Sequence, residues 1–250
     1  MVESRPDGRA VRTDQITLRA LVVCLALEGA LVGLDLLFRF THLTSYSGFQ
    51  SLFDVTSEHG LGNWFSSSQT LIVGLLGGAL SWRARAEGAS RWRVVGWAVV
   101  AACFVLMAID DGAAIHERVG SYVDRLQARP GAGQSLLARL GEAHGSFSWQ
   151  LVLGPVFGAM GLFLVVFLWR ELAARAQRLL LVLAMGCLVM AVGLDYMEGT
   201  RLGFALVASA LSAEVTAVAH LCQVLEELAE MVGTTLFLVI FLKQWVGTTD

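Results

Sequence analysis

Four ionisable residues lie together at the end of an apolar stretch of the chain. The run "VVGWAVVAACFVLMA" (94–108) is followed by Asp110, Asp111, His116 and Glu117 within eight residues. Carboxylates and imidazoles bind metal ions, carry protons or form buried hydrogen-bond networks. The spacing therefore predicts a polar site where this segment ends, and other elements of the chain must position it.

The composition is that of a membrane protein. Only 16% of the 250 residues are charged and 56% are hydrophobic, whereas soluble domains carry about 25% charged residues. Several apolar runs approach 20 residues, the length of a transmembrane helix. The net charge of -3 and the absence of a basic block predict no nucleic-acid partner. The four cysteines occur singly, without the spacing of a disulfide framework.

The fold class predicted from these runs is all-α, a polytopic integral membrane helix bundle with six transmembrane helices. We expect a single membrane domain over residues 1–250. Each span is long enough to cross a hydrocarbon core of about 30 Å at about 1.5 Å per residue. The spans cover about 16–38, 61–82, 94–117, 149–169, 179–200 and 218–245.

The basic residues predict the orientation of the bundle. Twelve of the eighteen lie in the N-terminal tail, in the loops after the second and fourth spans, and at Lys243. The other six lie on the opposite side. The positive-inside rule then predicts cytoplasmic termini, and the scarcity of lysine suggests a bacterial inner (plasma) membrane, in which the protein is multipass.

The polar residues gather near the predicted outer face, and the inner halves of the spans carry almost nothing ionisable. Asp110, Asp195 and Glu227 each lie 16 or 17 residues from a basic residue at the inner boundary. At about 1.5 Å per residue they share a layer about 25 Å above it. The residues at or beyond the outer ends of spans include all five histidines (His42, His59, His116, His144 and His220) and Asp35, Asp54, Glu58, Asp111, Glu117, Glu198 and Glu226.

A metal site is the sharpest interpretation of this layer. Carboxylates and imidazoles from several helices of a bundle hold the ions of di-iron and di-manganese proteins. The ion would be a divalent or transition metal, Fe, Mn or Zn. A proton or cation pathway and a structural hydrogen-bonded network remain open as alternatives. The candidate ligands are Glu58, Asp110, His116, Glu117, Asp195, Glu198, His220, Glu227 and Glu230.

The segment 110–117 is expected to place metal ligands at two depths in the membrane, with Asp110 in the buried layer and Glu117 in the outer one. His116 would bind the metal or donate a hydrogen bond to a ligating carboxylate. In a regular helix Asp111 points away from the Asp110 face, although Gly112 makes regularity less certain. The alternative is that His116 and Glu117 only cap the helix. Asp35 with Arg39, and Glu198 with Arg201, have the spacing of ordinary helix ion pairs.

Two connecting segments are expected to be amphipathic. In "SYSGFQSLFDV", Phe49, Leu52 and Phe53 share one helical face, as in a short helix at the membrane interface. The segment "SYVDRLQARPGAGQSLLARLGEAHG" (121–145) predicts two short pieces around a turn. It is either a lid over the site or a plain connector.

Three motifs give the chain a resemblance to known sequences: "EHGLGNWFSSSQTLIVGLL", "FVLMAIDDGAAIHERVG" and "LEELAEMVGTTLFLVIFL". In this order they resemble a widespread family of uncharacterised bacterial multipass inner-membrane proteins. That family has a Glu-x-x-Asn-x-aromatic-Ser-Ser start to one span, an acidic pair followed by His-Glu, and a late Glu-Glu-x-x-Glu-Met-x-Gly. The chain departs from it at Gly60–Gly62 and at Asp111. The resemblance implies a shared polar site and no established activity.

Three classes of function are compatible with this polar site. The metal would activate water or oxygen in an enzyme acting on a lipid or other apolar substrate, although no residue is assigned a catalytic role. Alternatively the acids translocate protons or cations, with Glu28 and Glu230 as inner stations, or the protein is an accessory subunit of a larger membrane complex. The expected partners are membrane lipids, a lipidic substrate or other membrane subunits.

Overall fold

The computed structural model describes residues 8–41, 46–128, 140–141, 144–200 and 203–247. Within these residues the chain forms nine helices and no strand, which confirms the all-α prediction. They are α1 (Gly8–Thr41), α2 (Ser47–Phe53), α3 (Leu61–Ala86), α4 (Arg91–Ala113), α5 (Ile115–Gln127), α6 (Ser148–Glu171), α7 (Arg175–Gly199), α8 (Gly203–Leu211) and α9 (Val215–Gly247).

Four helices are long and apolar enough to cross a membrane: α1 from Thr13, α4, α6 and α7. The helices α3 and α9 have 26 and 33 residues, so length is not what separates them from the four. Helix α3 carries the polar segment "NWFSSSQT", and α9 carries the acidic segment "EELAE".

The lateral surface of the bundle, around the sides of the helices, is apolar. Leu75, Leu162 and Val189, near the middle of α3, α6 and α7, are each more than 60% exposed. An exposed apolar surface of this extent marks contact with lipid or with another protein. It is the surface expected of helices that face hydrocarbon.

Helix α9 lies at the centre of the bundle, in contact with α1, α3, α7 and α8, and α3 packs most extensively along α4. In the half of the bundle towards the C-terminus of α9 the core is aromatic. Trp97 contacts Phe167 and Phe241 edge-on, and Phe104 contacts Phe237 and Phe241 in the same way. Such edge-to-face pairs add about 0.5–1.5 kcal/mol each beyond the area they bury.

The start of α1 and the end of α9 meet at one end of the bundle. Lys243 Nζ donates to Asp14 Oδ1 at 3.1 Å, and Arg83 donates to the carbonyl of Trp245. We call this the basic end. The opposite end, where α1 and α4 finish and α9 begins, is called the acidic end.

The predicted third span (94–117) is broken. Helix α4 ends at Ala113, and α5 begins at Ile115 after Ala114, which has the left-handed backbone angle φ of +47°. His116 N–H donates to Asp110 Oδ1 at 3.0 Å, so a side chain of α4 caps the first turn of α5. The stretch predicted as the third span is therefore not one continuous helix, because this cap offers the backbone an alternative to helical hydrogen bonds.

The two amphipathic segments were expected outside the spans. Helix α2 forms over the first, with Phe49 and Leu52 exposed. Phe53 stacks on Phe38 of α1 with ring centroids 4.9 Å apart. Helix α5 covers the beginning of the second segment, and its turn (129–133) lies outside the described residues. Neither helix tests the lid hypothesis.

Gly96 should be essential for the aromatic core. A Cβ there would lie 1.9 Å from Phe167 Cε2, and the fully buried Phe167 ring has no space to move. We expect Gly96→Ala to lower the free energy of unfolding by about 1–3 kcal/mol through overpacking. Thermal unfolding in detergent measures it. Gly78→Ala, whose Cβ would lie 3.9 Å from Ala101, is the control and should not lower Tm. Equal Tm values for both variants would contradict the prediction.

Candidate functional site

A histidine and two carboxylates from three elements converge at the acidic end. His220 of α9 lies with Nε2 2.9 Å from Asp35 Oδ2 of α1, and both side chains are buried. Asp54, which follows α2, completes the group, because each residue offers one ligand atom within 4.8 Å of the others. No other group of three or more metal-ligating side chains this close occurs in the described part of the chain.

The segment after α2 is held against α1 and α3. The Val55 backbone N–H donates to the Asp35 carboxylate, and Asp54 Oδ1 accepts from the N–H and the hydroxyl of Thr56. A Cβ at Gly60 would lie 2.7 Å from the Asp54 carbonyl oxygen. Gly60, noted as a departure from the family motif, therefore allows the close approach that brings Asp54 to Asp35.

A pocket of about 200 Å³ opens beside this group. Asp35, Asp54, Phe38, Arg39 and Gln50 line it. Asp35 pairs with His220, and among the described residues it forms no ion pair with Arg39, so the interpretation of Asp35 as a helix ion pair was wrong. The pocket thus combines two carboxylates, a guanidinium and an aromatic ring.

A second polar network joins α3 to the end of α4. Ser67 Oγ donates to Asp111 Oδ2 at 2.8 Å and lies 3.0 Å from Asn63 Oδ1. Asn63 Nδ2 donates to Glu58 Oε2 at 3.0 Å. Asp111, rather than Asp110, therefore contacts α3, contrary to the expectation from a regular helix.

Asp110 instead pairs with His116, whose Nδ1 lies 3.0 Å from Asp110 Oδ2. Burial lowers the pKa of His116, but the hydrogen bond to Asp110 and the charges of Asp110, Glu117 and Glu58 outweigh it, so this pKa is raised. Burial also raises the pKa of Glu58, and the charges of Glu117 and Asp111 add to this effect. A protonated His116 is thus stabilised among acids.

Three glutamates on α9 face the same region. Glu226 is within electrostatic reach of Asp195 and Glu198 on α7. Glu227 is near Asp111 and Glu58, and Glu230 is near Asp110, Asp111, His116 and Asp195. We call the set Glu58, Asp110, Asp111, His116, Glu117, Asp195, Glu198, Glu226, Glu227 and Glu230 the acidic cluster.

Neutral amides tie the α7 acids to neighbouring helices. Gln150 Nε2 donates to Asp195 Oδ2 at 2.6 Å, and His144 Nε2 lies 2.8 Å from Gln150 Oε1. Gln223 Nε2 donates to Glu198 Oε1 at 2.7 Å. The partner suggested for Glu198, Arg201, lies outside the described residues, as does His42.

Comparison with known proteins places the chain in a family. The family described as Domain of unknown function (DUF8692) matches residues 17–245. The chain belongs to the DUF8692 family. This agrees with the resemblance to an uncharacterised family, while the correspondence of the three motifs stays a prediction. No curated protein and no solved structure matches the chain.

The structure of this DUF8692 member separates the nine predicted metal ligands into two sets. His220 lies in the group with Asp35 and Asp54, and the other eight lie in the acidic cluster. A metal-ligand role for those eight stays a prediction. Neither Asp35 nor Asp54 is among the ligands predicted from the sequence. The signal for Asp35 was its place on one helix face with Glu28, whereas Asp54 stood in a connector without any pattern.

The pKa of His116 should depend on Asp110. In the wild type we expect NMR titration of labelled histidine to give a pKa above the ordinary value of about 6.5. In Asp110→Asn the charge of Asp110 is lost while burial and the charges of Glu117 and Glu58 remain, so the pKa of His116 should fall relative to the wild type. Because the folded-state pKa is raised, the stabilisation by His116 is complete below its unfolded pKa and is lost as pH rises through the folded value.

The control for this titration is Asp124→Asn. Asp124 lies on the same helix and bonds to Ser148, so this variant should leave the His116 titration unchanged. An unchanged pKa in Asp110→Asn would contradict the assigned pairing.

Proposed function

We propose that the protein binds a divalent transition metal ion through Asp35, Asp54 and His220. The observation that carries the proposal is their convergence from α1, the α2–α3 connection and α9. Carboxylate and imidazole ligands suit Fe, Mn and Zn. Three protein ligands leave coordination positions for water and substrate, as in catalytic metal sites.

Charge supports a divalent ion at this position. Asp35 is 2% exposed and His220 3% exposed, so an ionised carboxylate here has lost most of its hydration. With a neutral imidazole, the two carboxylates carry two negative charges, which a divalent cation neutralises. A metal ion would therefore offset the cost of placing the buried Asp35 beside the half-buried Asp54 near a membrane.

The pocket suggests an enzyme that acts on a lipid with an anionic head group. The exposed Arg39 guanidinium at the pocket would pair with a phosphate or carboxylate. Phe38 and the apolar surface of the bundle would accept the hydrocarbon part. A bound metal would lower the pKa of coordinated water or polarise a substrate oxygen.

The acidic cluster supports a second candidate function, translocation of protons or cations. Three glutamates of α9 and the acids of α4 and α7 lie within electrostatic reach of one another. No Lys or Arg occurs among these interactions in the described residues. Intramembrane acids without basic partners mark proton and cation pathways.

We also propose six spans with cytoplasmic termini in a bacterial inner membrane. Helices α3 and α9 would be the additional spans, because 26 and 33 residues exceed the thickness of a hydrocarbon core of about 30 Å. The Lys243–Asp14 bond at the basic end is consistent with both termini on one side.

Topology can be tested by cysteine accessibility in a cysteine-free background. Ser121→Cys, exposed on α5, should react with a membrane-impermeant maleimide only from outside. Glu87→Cys, exposed after α3, should react only from the cytoplasm. Labelling of position 121 from the cytoplasm alone would reverse the proposed orientation.

Metal content tests the site. We expect purified wild type to carry a stoichiometric transition metal in elemental analysis, and Asp54→Asn to lower its affinity at least about tenfold, since even outer-shell losses cost that much. Asp14→Asn, exposed at the basic end, is the matched control and should keep the metal. If Glu227→Gln loses the metal while Asp54→Asn keeps it, the ion lies in the acidic cluster and the proposed ligands are wrong.

The same proteins separate the two functions. In vesicles of bacterial lipids, an enzyme should change a lipid species seen by mass spectrometry, with loss of the change in Asp54→Asn. A translocator should instead give a proton or cation flux that Glu227→Gln abolishes and Asp54→Asn retains.

A further inference from the structure

A third polar group lies deeper in the bundle. Glu28 of α1, Gln69 of α3 and Thr235 of α9 meet where the three helices pack, with exposures of 1%, 4% and 0%. Gln69 Nε2 donates to Glu28 Oε1 at 3.1 Å and to Thr235 Oγ1 at 2.6 Å. Thr235 Oγ1 donates to Glu28 Oε1. Residues from three helices thus surround one carboxyl group.

Two oxygen atoms of this group lack a hydrogen-bond donor. Both N–H donors of the Gln69 amide and the Thr235 hydroxyl are already used. Glu28 Oε2 and Gln69 Oε1 are buried and have no partner. Both orphan atoms are acceptors, so a further donor or a cation is needed to satisfy them.

The position makes an uncompensated charge costly. In the apolar part of α1, Thr13–Thr41, Glu28 is 15 residues from one end and 13 from the other. Its described interactions are with Thr235 and Gln69, and neither side chain is basic. An ionisable group at such depth is expected to have a functional reason and a compensating partner.

We propose that Glu28, Gln69 and Thr235 form a binding site for a sodium ion, which competes there with a proton. The three side chains offer oxygen atoms, which are the ligands that hard cations prefer. A single carboxylate balances one positive charge, and a divalent ion would leave a net charge buried at membrane depth. This site is separate from Asp35, Asp54 and His220 and does not depend on the function proposed for them.

Carbodiimide labelling of the full-length protein in vesicles tests the proposal. Dicyclohexylcarbodiimide reacts with protonated carboxyl groups in apolar surroundings, and peptide mass spectrometry locates the adduct. We expect the labelling rate of Glu28 to fall in NaCl relative to choline chloride at equal ionic strength and pH. At a sodium concentration ten times Kd the rate should fall about tenfold, and lower pH should weaken the protection.

Two neighbouring threonines provide matched variants. Thr235→Val removes a proposed ligand and should abolish sodium protection while Glu28 is still labelled. Thr234 is also buried on α9 but makes no hydrogen bond to Glu28 among the described residues. Thr234→Val should therefore keep the sodium protection. Protection should also persist in Asp54→Asn, because that residue belongs to the other site.

Two results would overturn the proposal. If wild-type labelling is the same in NaCl and choline chloride at every pH, Glu28 is only protonated and binds no sodium. If Thr235→Val keeps full sodium protection, the ion is not held by this group. The wild-type comparison decides the matter even if Thr235→Val does not fold.

Discussion

A carboxylate among apolar helices has little water to solvate it, and this constraint accounts for how the helices are joined. Between helices in lipid there is little hydrophobic driving force, so close packing and interhelical hydrogen bonds specify the arrangement. Five acids that reach into the bundle hydrogen-bond to a side chain on another helix. The pairs are Glu28 with Thr235, Asp35 with His220, Asp111 with Ser67, Asp195 with Gln150 and Glu198 with Gln223.

Helix α9 meets this constraint by changing character along its length. Its first half carries His220 and the glutamates, while its second half carries Phe237 and Phe241 of the aromatic core. Towards the basic end the bundle is therefore closely packed and apolar. Towards the acidic end it is held by polar contacts, and Thr235 lies near the change between the two. The aromatic and the polar contacts of α9 thus lie in different parts of one helix.

The sequence predicted the elements of this arrangement better than their pairing. Apolar runs indicated the long helices, and the one-sided distribution of acids indicated the polar end. The partners were not predictable, because His220 meets Asp35 across 185 residues and Thr235 meets Glu28 across 207. Neutral amides such as Gln150 and Gln223 carry no charge signal, although they position two of the acids. The break at Ala114 was also missed, since alanine is not a residue that favours a left-handed backbone.

The long separation of these partners has a consequence for biogenesis. Helix α1 is synthesised before α9, which carries Thr235 and His220, the most distant partners of Glu28 and Asp35 along the chain. At about 5–20 residues per second, 207 residues require about 10–40 s. During that interval the two acids of α1 lack their partners on α9. Their carboxyl groups must therefore stay protonated, or α1 must remain near the insertion machinery or be shielded by another protein. Helix α9 thus supplies partners for two acids of α1.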